Sequence, residues 1–119
     1  MENPKIEWLK SYQQKCLKFT FNEKLTEENA IVGVDKWKNC FSNYPNNKIT
    51  LIWDCKSMSG YDPNARNYWQ AAMKEMKNQI DTIWLITNSV LIRMGASAMS
   101  VFASFKIKVV SSEQEIEIN

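Results

Sequence analysis

Hydrophobic and polar positions along this chain follow patterns that predict four strands. Residues 17–21 alternate apolar and polar side chains, the period of two that is typical of a strand with one covered face. Residues 49–53 and 82–87 are short apolar runs without alternation, as in strands buried on both faces of a parallel sheet. Residues 107–110 predict a last strand, and the neighbouring Lys106 and Lys108 are typical of a sheet edge.

Two segments between these strands carry the spacing of amphipathic helices. Thr26 is a predicted N-cap, and Glu27 and Glu28 follow it in the first turn, where acidic side chains interact favourably with the helix dipole. The buried face of the first helix is predicted to consist of Ala30, Val34, Trp37 and Phe41. The buried face of the second helix is predicted to consist of Ala65, Trp69, Ala72, Met73, Met76 and Ile80.

A third predicted helix, residues 90–105, is apolar around more than half of its circumference, which is wider than packing on a sheet requires. One apolar stripe consists of Leu91, Met94, Ala98, Val101, Phe102 and Phe105. We expect a homodimer face or a lipid-like ligand pocket to cover part of this surface, and the small residues of the helix favour protein contact. The interface or pocket candidates form the second stripe: Ile92, Ala96, Met99 and Ala103.

The first ten residues are compatible with a strand or a helix. Ile6 and Trp8 alternate as in one strand of a hairpin, whereas Ile6 and Leu9 have helical spacing. A strand is favoured because the next segment is itself a strand. Strands then alternate with helices, which predicts a single α/β domain over residues 1–119 with a mostly parallel sheet of about five strands and the amino-terminal pair at an edge. Ser112 and Glu115 have the spacing of a capping box after the last strand.

The segment from Ile49 to Ala72 is predicted to hold the ligand-binding end of the sheet. Asp54 closes the apolar run, a turn-rich loop follows, and Pro63 after Asp62 has the order that opens helices. In open α/β sheets, ligands bind in the crevice at the carboxyl ends of the strands. The binding candidates of this loop are therefore Asp54, Ser57, Ser59, Asp62, Asn64 and Asn67.

Composition excludes several classes of function. A net charge of +2 is too small to indicate nucleic-acid binding. The chain has no histidine, the commonest general base and transition-metal ligand, so we predict no catalytic residue, no metal site and no cofactor. No apolar stretch reaches the roughly 18 residues that span a membrane. The first residues lack the basic and apolar regions of a signal peptide, so a cytoplasmic protein is expected.

The order of elements and the central loop resemble the STAS domain, named for sulfate transporters and anti-sigma factor antagonists, and its SEC14-like relatives. In that family an Asp ends the third strand, and eight residues later a second Asp precedes a pair of serines, the second of which is phosphorylated. Asp54 and Asp62 keep this separation, but Pro63 and Asn64 stand at the serine positions. The resemblance therefore implies a small regulatory or protein-binding module without the phosphoserine switch.

Other hypotheses assign chemistry to the same strand end. Asp54 and Thr87 are superficially similar to the phosphoacceptor and hydroxyl of a receiver domain, but no acidic pair for its magnesium ion follows residues 17–22. Cys55 could be a reactive thiolate beside a helix start, although a buried structural cysteine is favoured. Ser57 and Ser59 could accept phosphate, although loop serines commonly bond to turn backbone groups.

These observations together predict a non-catalytic, cytoplasmic regulatory or protein-interaction module. Its expected partner is a protein, including a second copy bound through the third helix, and neither nucleic acid nor a membrane span is expected. The alternative function is a carrier or sensor of a small apolar or anionic ligand. The pliable side chains of such a pocket would be Met73, Met76, Met94 and Met99.

Overall fold

The computed structural model describes residues 2–118, and it describes Phe102 and Ala103 by their backbone alone. Strands and helices alternate as the hydrophobic pattern predicts, and the amino-terminal segment is a strand. Short 3₁₀ turns at Lys77–Gln79 and Glu113–Glu115 accompany the main elements. The elements are β1 (Lys5–Leu9), β2 (Cys16–Leu25), α1 (Glu27–Ser42), β3 (Ile49–Tyr61), α2 (Pro63–Glu75), β4 (Ile80–Ile86), α3 (Val90–Ala103) and β5 (Ile107–Val110).

The five described strands form one sheet in the order β1-β2-β3-β4-β5. β1 is antiparallel to β2 at one edge, and the other three pairs are parallel. Each parallel pair is joined through one helix, as the alternation of strands and helices predicts. The predicted α/β class, the mostly parallel sheet and the edge position of the first two strands are therefore confirmed.

All three helices pack on one face of the sheet, where they share a single apolar core with the strands. The predicted stripe of α1 is buried there. Thr26 caps α1, because its hydroxyl accepts a hydrogen bond from the backbone N–H of Asn29 at 3.2 Å. A smaller cluster on the opposite face, which we call the outer face, consists of Cys16, Ile52, Trp84, Ile86 and Ile116.

The carboxyl-terminal segment closes the outer face of the sheet. Ile116 is buried against Cys16 and Ile52, so the run from Ile49 to Trp53 is covered on both sides, as its unbroken apolar pattern predicts. The Ser112 and Glu115 capping box forms. The protein therefore has a large apolar core between the sheet and the helices and a much smaller one on the outer face.

The prediction of a turn-rich loop after Asp54 is wrong, because β3 continues as a strand to Tyr61. β2 also runs on to Leu25, so the ends of the two strands pair with each other in parallel. The register shifts twice along this extension, after Thr20 and after Glu23. These β-bulges accommodate the extra residues of β3, which is why serine and glycine occur inside a strand.

Two helix ends differ from the predictions. α2 ends at Glu75, and Ile80 already belongs to β4, although Ile80 is buried as predicted. α3 ends at Ala103 rather than Phe105, because Ser104 adopts the left-handed conformation that terminates helices. The start of α3 is capped by Ser89, whose hydroxyl accepts a hydrogen bond from the N–H of Ile92 at 3.3 Å.

Candidate functional site

The binding candidates predicted in the central segment are not brought together. Asp54 lies on the outer face, since the strand residues on either side of it, Trp53 and Cys55, belong to the core under the helices. Ser57 and Ser59 are exposed on the extension of β3. Neither hydroxyl bonds to a backbone group anywhere in residues 2–118. These residues therefore do not line a single ligand crevice at this end of the sheet.

Asp54 is part of a charged cluster on the outer face. Its carboxylate lies 3.8 Å from the ammonium group of Lys18 and 3.7 Å from that of Lys56, and it accepts a hydrogen bond from the backbone N–H of Lys56 at 3.2 Å. Lys18 also binds Glu113 of the carboxyl-terminal segment at 2.6 Å. Burial lowers the pKa of Lys18, but Glu113 and Asp54 outweigh it and raise the pKa overall. This arrangement gives Asp54 a structural role in holding the terminal segment on the sheet.

The receiver-like hypothesis at Asp54 finds no support in this geometry. Two lysines flank the carboxylate, and within residues 2–118 no three His, Cys, Asp or Glu side chains come together as a metal site. Thr87 is fully buried, and its hydroxyl accepts a hydrogen bond from the N–H of Ser89 at 3.0 Å. Thr87 therefore organises the start of α3.

Asp62 and Asn64 meet at the start of α1 rather than forming a site at the start of α2. Asp62 occupies the N-cap position of α2, but its side chain makes no cap hydrogen bond there. The carboxylate instead binds Lys24 at 2.8 Å and accepts a hydrogen bond from the N–H of Glu27 at 3.3 Å. The amide of Asn64 donates to the carboxylate of Glu27 at 3.2 Å. Asn67 is exposed on α2. Asp62 therefore precedes α2 at the predicted position, but its side chain does not cap this helix.

We expect Asp62→Asn to lower stability slightly at neutral pH and not at all in acid. The hydrogen bond from Lys24, followed by its charge, lowers the pKa of Asp62 below its ordinary value of 3.8. A lowered pKa stabilises the fold above pH 3.8, and this contribution is lost as the pH falls further. Thermal unfolding followed by circular dichroism should show the two proteins converging below pH 3.8. A constant difference across this range would contradict the assigned role of the carboxylate.

The two buried cysteines, Cys16 and Cys55, do not provide a nucleophile. Cys55 is buried under the helices, and burial, followed by the charge of Asp54, raises the pKa of its thiol. Burial also raises the pKa of Cys16 to about 12. Both thiols stay protonated near neutral pH, and the reactive form of cysteine is the thiolate. Cys55 is therefore a structural core residue.

An apolar cavity of about 60 Å³ lies between the carboxyl-terminal half of β3, α2 and the inner side of α3. Ile92, Ala96 and Met99, three of the interface or pocket candidates, line it, whereas the side chain of Ala103 lies outside the described residues. The remaining lining residues are Phe21, Leu25, Trp53, Cys55, Met58, Tyr61, Arg66, Trp69, Leu85 and Gly95. We call this space the α3 cavity.

Gly95 permits the close packing that closes the α3 cavity on one side. A Cβ atom at this position would overlap the hydroxyl oxygen of Tyr61 and lie 3.0 Å from the ring carbon that bears it. The glycine therefore lets the tyrosine ring lie directly on the helix backbone. Tyr61, Trp69 and Arg66 were not predicted as site residues, because strand β3 was expected to end before Tyr61 and α2 was treated only as packing.

The opposite side of α3 is an exposed apolar face. Its large side chains are exposed by 71% at Val90, 57% at Leu91, 65% at Met94 and 82% at Val101. Ala98 is exposed beside them, and Arg93 is the only charged residue of the helix. The exposed face thus contains Leu91, Met94, Ala98 and Val101 of the first stripe, whereas Phe105 packs against the core. Ile92, Ala96 and Met99 of the second stripe point to the sheet. The side chains of Phe102 and Ala103 lie outside the described residues. No helix within the described residues is long and apolar enough to cross a membrane.

Comparisons with known proteins identify the fold. Neither a family model nor a curated protein matches the chain. Among solved structures, an uncharacterised protein of the DUF3478 family with a SpoIIAA-like fold, from Shewanella loihica PV-4, is 14% identical with a TM-score of 0.79, covering 97% of this chain and 91% of that one. The anti-sigma factor antagonist SpoIIAA, in its unphosphorylated form, is 14% identical with a TM-score of 0.65, covering 93% and 92%. The predicted STAS-like fold is confirmed.

Proposed function

We propose that this chain is a non-catalytic regulatory module that acts by binding protein through the exposed face of α3, and that a second copy of the chain is its contact. The exposed apolar face carries this proposal. Four large apolar side chains on one helix are more than half exposed, whereas singly scattered ones are normal on a protein surface. Contiguous apolar patches of this kind mark interaction sites.

The charge of the exposed face favours a second copy as the partner. In a two-fold symmetric contact, the same patch meets itself, so every charge near the axis opposes a like charge. α3 carries only Arg93, which lies to one side of Met94 and Val101. Ser97 and Ala98 are small, so two helices can approach closely at this point. The face therefore combines apolar area with little electrostatic cost of self-association.

The start of α2 supports regulation by association rather than by phosphorylation. The resemblance to STAS domains places a phosphoserine at the position of Asn64, which has no hydroxyl group. Asn64 is instead bonded to Glu27, and a phosphate there would meet the carboxylates of Glu27 and Asp62. Repulsion between the negative phosphate and these two carboxylates would disfavour a phosphorylated residue at position 64.

We expect Met94→Glu to weaken self-association by at least about tenfold, because the variant places two like charges in a desolvated contact. Sedimentation velocity up to high micromolar concentration should show a reversible dimer for the wild type and a monomer for the variant. Val32→Glu is the matched control, since Val32 is 69% exposed on α1, away from the contact. A strictly monomeric wild type would overturn the proposed contact, and equal loss in Val32→Glu would move it to α1.

A further inference from the structure

Lysines are concentrated at the end of the sheet where the parallel strands begin. Because β2, β3, β4 and β5 are parallel, the connections that lead into them meet at this end, and β1 also ends there beside Cys16. These connections are residues 10–15, 43–48, 76–79 and 104–106. We call this surface the basic end. It contains no aspartate or glutamate in its four connections, and it contains the lysines Lys10, Lys15, Lys48, Lys77 and Lys106.

The positive charge of the basic end is not neutralised by the chain itself. None of its lysines forms an ion pair within residues 2–118, whereas six of the other lysines are each paired with a carboxylate. Two carboxylates lie near this end of the sheet. Glu75 binds Lys38 at 3.1 Å, and Asp81 lies close to the start of β4. The net charge of +2 therefore hides a clustered basic surface.

Stabilisation of helix ends explains only part of this clustering. Lysines near the carboxyl end of a helix interact favourably with its dipole, but the effect falls off within the last turn. Lys77 comes shortly after the end of α2, whereas Lys48 is separated from α1 by a full turn-forming connection, and Lys10 lies between two strands. Lys15 lies 3.9 Å from the ring centroid of Tyr44. Helix stabilisation therefore does not account for Lys10 or Lys48.

The arrangement suits an extended anionic surface rather than one small anion. The four connections run along the whole sheet, and five strands at about 4.8 Å spacing extend over roughly 19 Å. The groove that holds Lys15 and Lys48 also holds Asp81, whose carboxylate would repel a small anion. Lysine is a hydrated point charge without the planar fork by which arginine binds one phosphate with two hydrogen bonds. Lysines spread in this way attract a surface of anionic headgroups together.

Nucleic acid fits the basic end less well than a membrane surface does. The four connections contain no arginine, the residue that makes the commonest specific contact with bases. Their aromatic side chains, Tyr12, Tyr44 and Phe105, are all half-buried. Binding of single strands depends on aromatic rings on which bases stack. The basic end therefore offers charge without the groups that recognise bases.

We propose that the basic end binds the surface of a membrane rich in anionic lipid headgroups, without insertion into the bilayer. The attraction is electrostatic, so binding is reversible and weakens as salt screens the charges. The lysines lie in connections at the end of the sheet and not on the exposed face of α3. The proposal therefore goes beyond the proposed function, and either one holds if the other fails.

Co-sedimentation with lipid vesicles tests the proposal. Vesicles of phosphatidylcholine with about 30% phosphatidylserine should bind the protein at about 0.1 M salt and release it at about 1 M salt. Vesicles of phosphatidylcholine alone should not bind it. Equal binding to both kinds of vesicle would overturn the proposal, because it would assign the contact to the apolar face of α3. Tighter binding to a short DNA duplex at the same salt would overturn it in favour of nucleic acid.

Lys48→Gln combined with Lys106→Gln should lower partitioning onto the anionic vesicles at least about tenfold, since each lysine near such a surface contributes about fivefold. Lys5→Gln combined with Lys24→Gln is the matched control, because it removes the same charge away from the basic end. Lys5 begins β1 and Lys24 lies near the far end of β2, with side chains that are 63% and 60% exposed. At about 0.1 M salt the Debye length is about 10 Å, so this pair should change partitioning less than about twofold. Circular dichroism verifies that each variant is folded. Equal losses in the two double variants would overturn the proposal, since net charge rather than the basic end would then govern binding.

Discussion

Trp37→Ala is expected to destabilise the fold by about 3–5 kcal/mol, the range typical of removing a large aromatic side chain from a core. Trp37 has no exposed surface. Its ring lies 5.3 Å from the centroids of both Phe19 and Trp69, 5.9 Å from Phe41 and 6.2 Å from Trp53. It therefore joins α1, α2 and the central strands in one cluster. Urea unfolding followed by far-ultraviolet circular dichroism measures the loss.

Trp37→Phe is the control that separates packing from hydrogen bonding. Phenylalanine keeps an aromatic ring at the centre of the cluster and removes the indole N–H, which has no acceptor among the described residues. Removing an unpaired buried donor relieves a desolvation cost, so this variant should lose less than half as much stability as Trp37→Ala. Equal losses in the two variants would show that the indole N–H contributes a bond through a buried water.

The architecture could be predicted from sequence because its signals are local. Ala30, Val34, Trp37 and Phe41 define α1 by spacing alone, and the apolar run 49–53 marks a doubly covered strand. Because strands alternate with helices and crossovers between parallel strands are right-handed, few arrangements of the strands in the sheet are possible. The outer cover was not predictable in the same way, since the burial of Ile116 depends on a contact distant in sequence.

The central segment could not be predicted because a non-local pairing overrides local preference. Ser57, Ser59 and Gly60 have the chemistry of a turn, yet the extension of β2 holds them in a strand through two bulges. That extension includes Glu23, whose positive φ of 54° carries no signal in the sequence pattern. The loop expected to gather Asp54 and Asn64 therefore does not exist: Asp54 is buried within β3, whereas Asn64 is exposed on α2.

The third helix was identified as unusual from its composition, but its two sides could not be assigned from sequence. Both apolar stripes satisfy the helical period, and only the packing shows that Ile92 and Met99 face inward while Met94 faces solvent. The cavity beneath α3 depends further on Gly95 and Tyr61, which meet across two elements. A contact of this kind needs three-dimensional information, because each residue separately has an ordinary structural interpretation.

Raising the pH from 8 to 10 is expected to remove roughly 1 kcal/mol of stability for each deeply buried thiol. In the unfolded chain a thiol loses its proton near its ordinary pKa of 9.0, whereas burial raises the pKa of Cys16 to about 12 in the folded chain. Burial raises the pKa of Cys55 in the same direction. The unfolded state therefore binds fewer protons across this window, and stability falls as the pH rises.

Urea unfolding at several values between pH 8 and 10 tests this expectation, because Lys18 remains charged there and its raised pKa matters only at higher pH. Cys16→Ala should lose some stability at pH 8 because the substitution leaves a small cavity. Its free energy of unfolding should then fall less steeply with pH than that of the wild type, and the difference should equal the contribution of about one buried thiol. Cys55→Ala should behave in the same way, and the double variant should have the shallowest decline, with the raised pKa values of Cys40 and Tyr12 leaving a residual slope. An unchanged slope in Cys16→Ala would mean that the pKa of this thiol is the same in the folded and unfolded chain, which its complete burial on the outer face opposes.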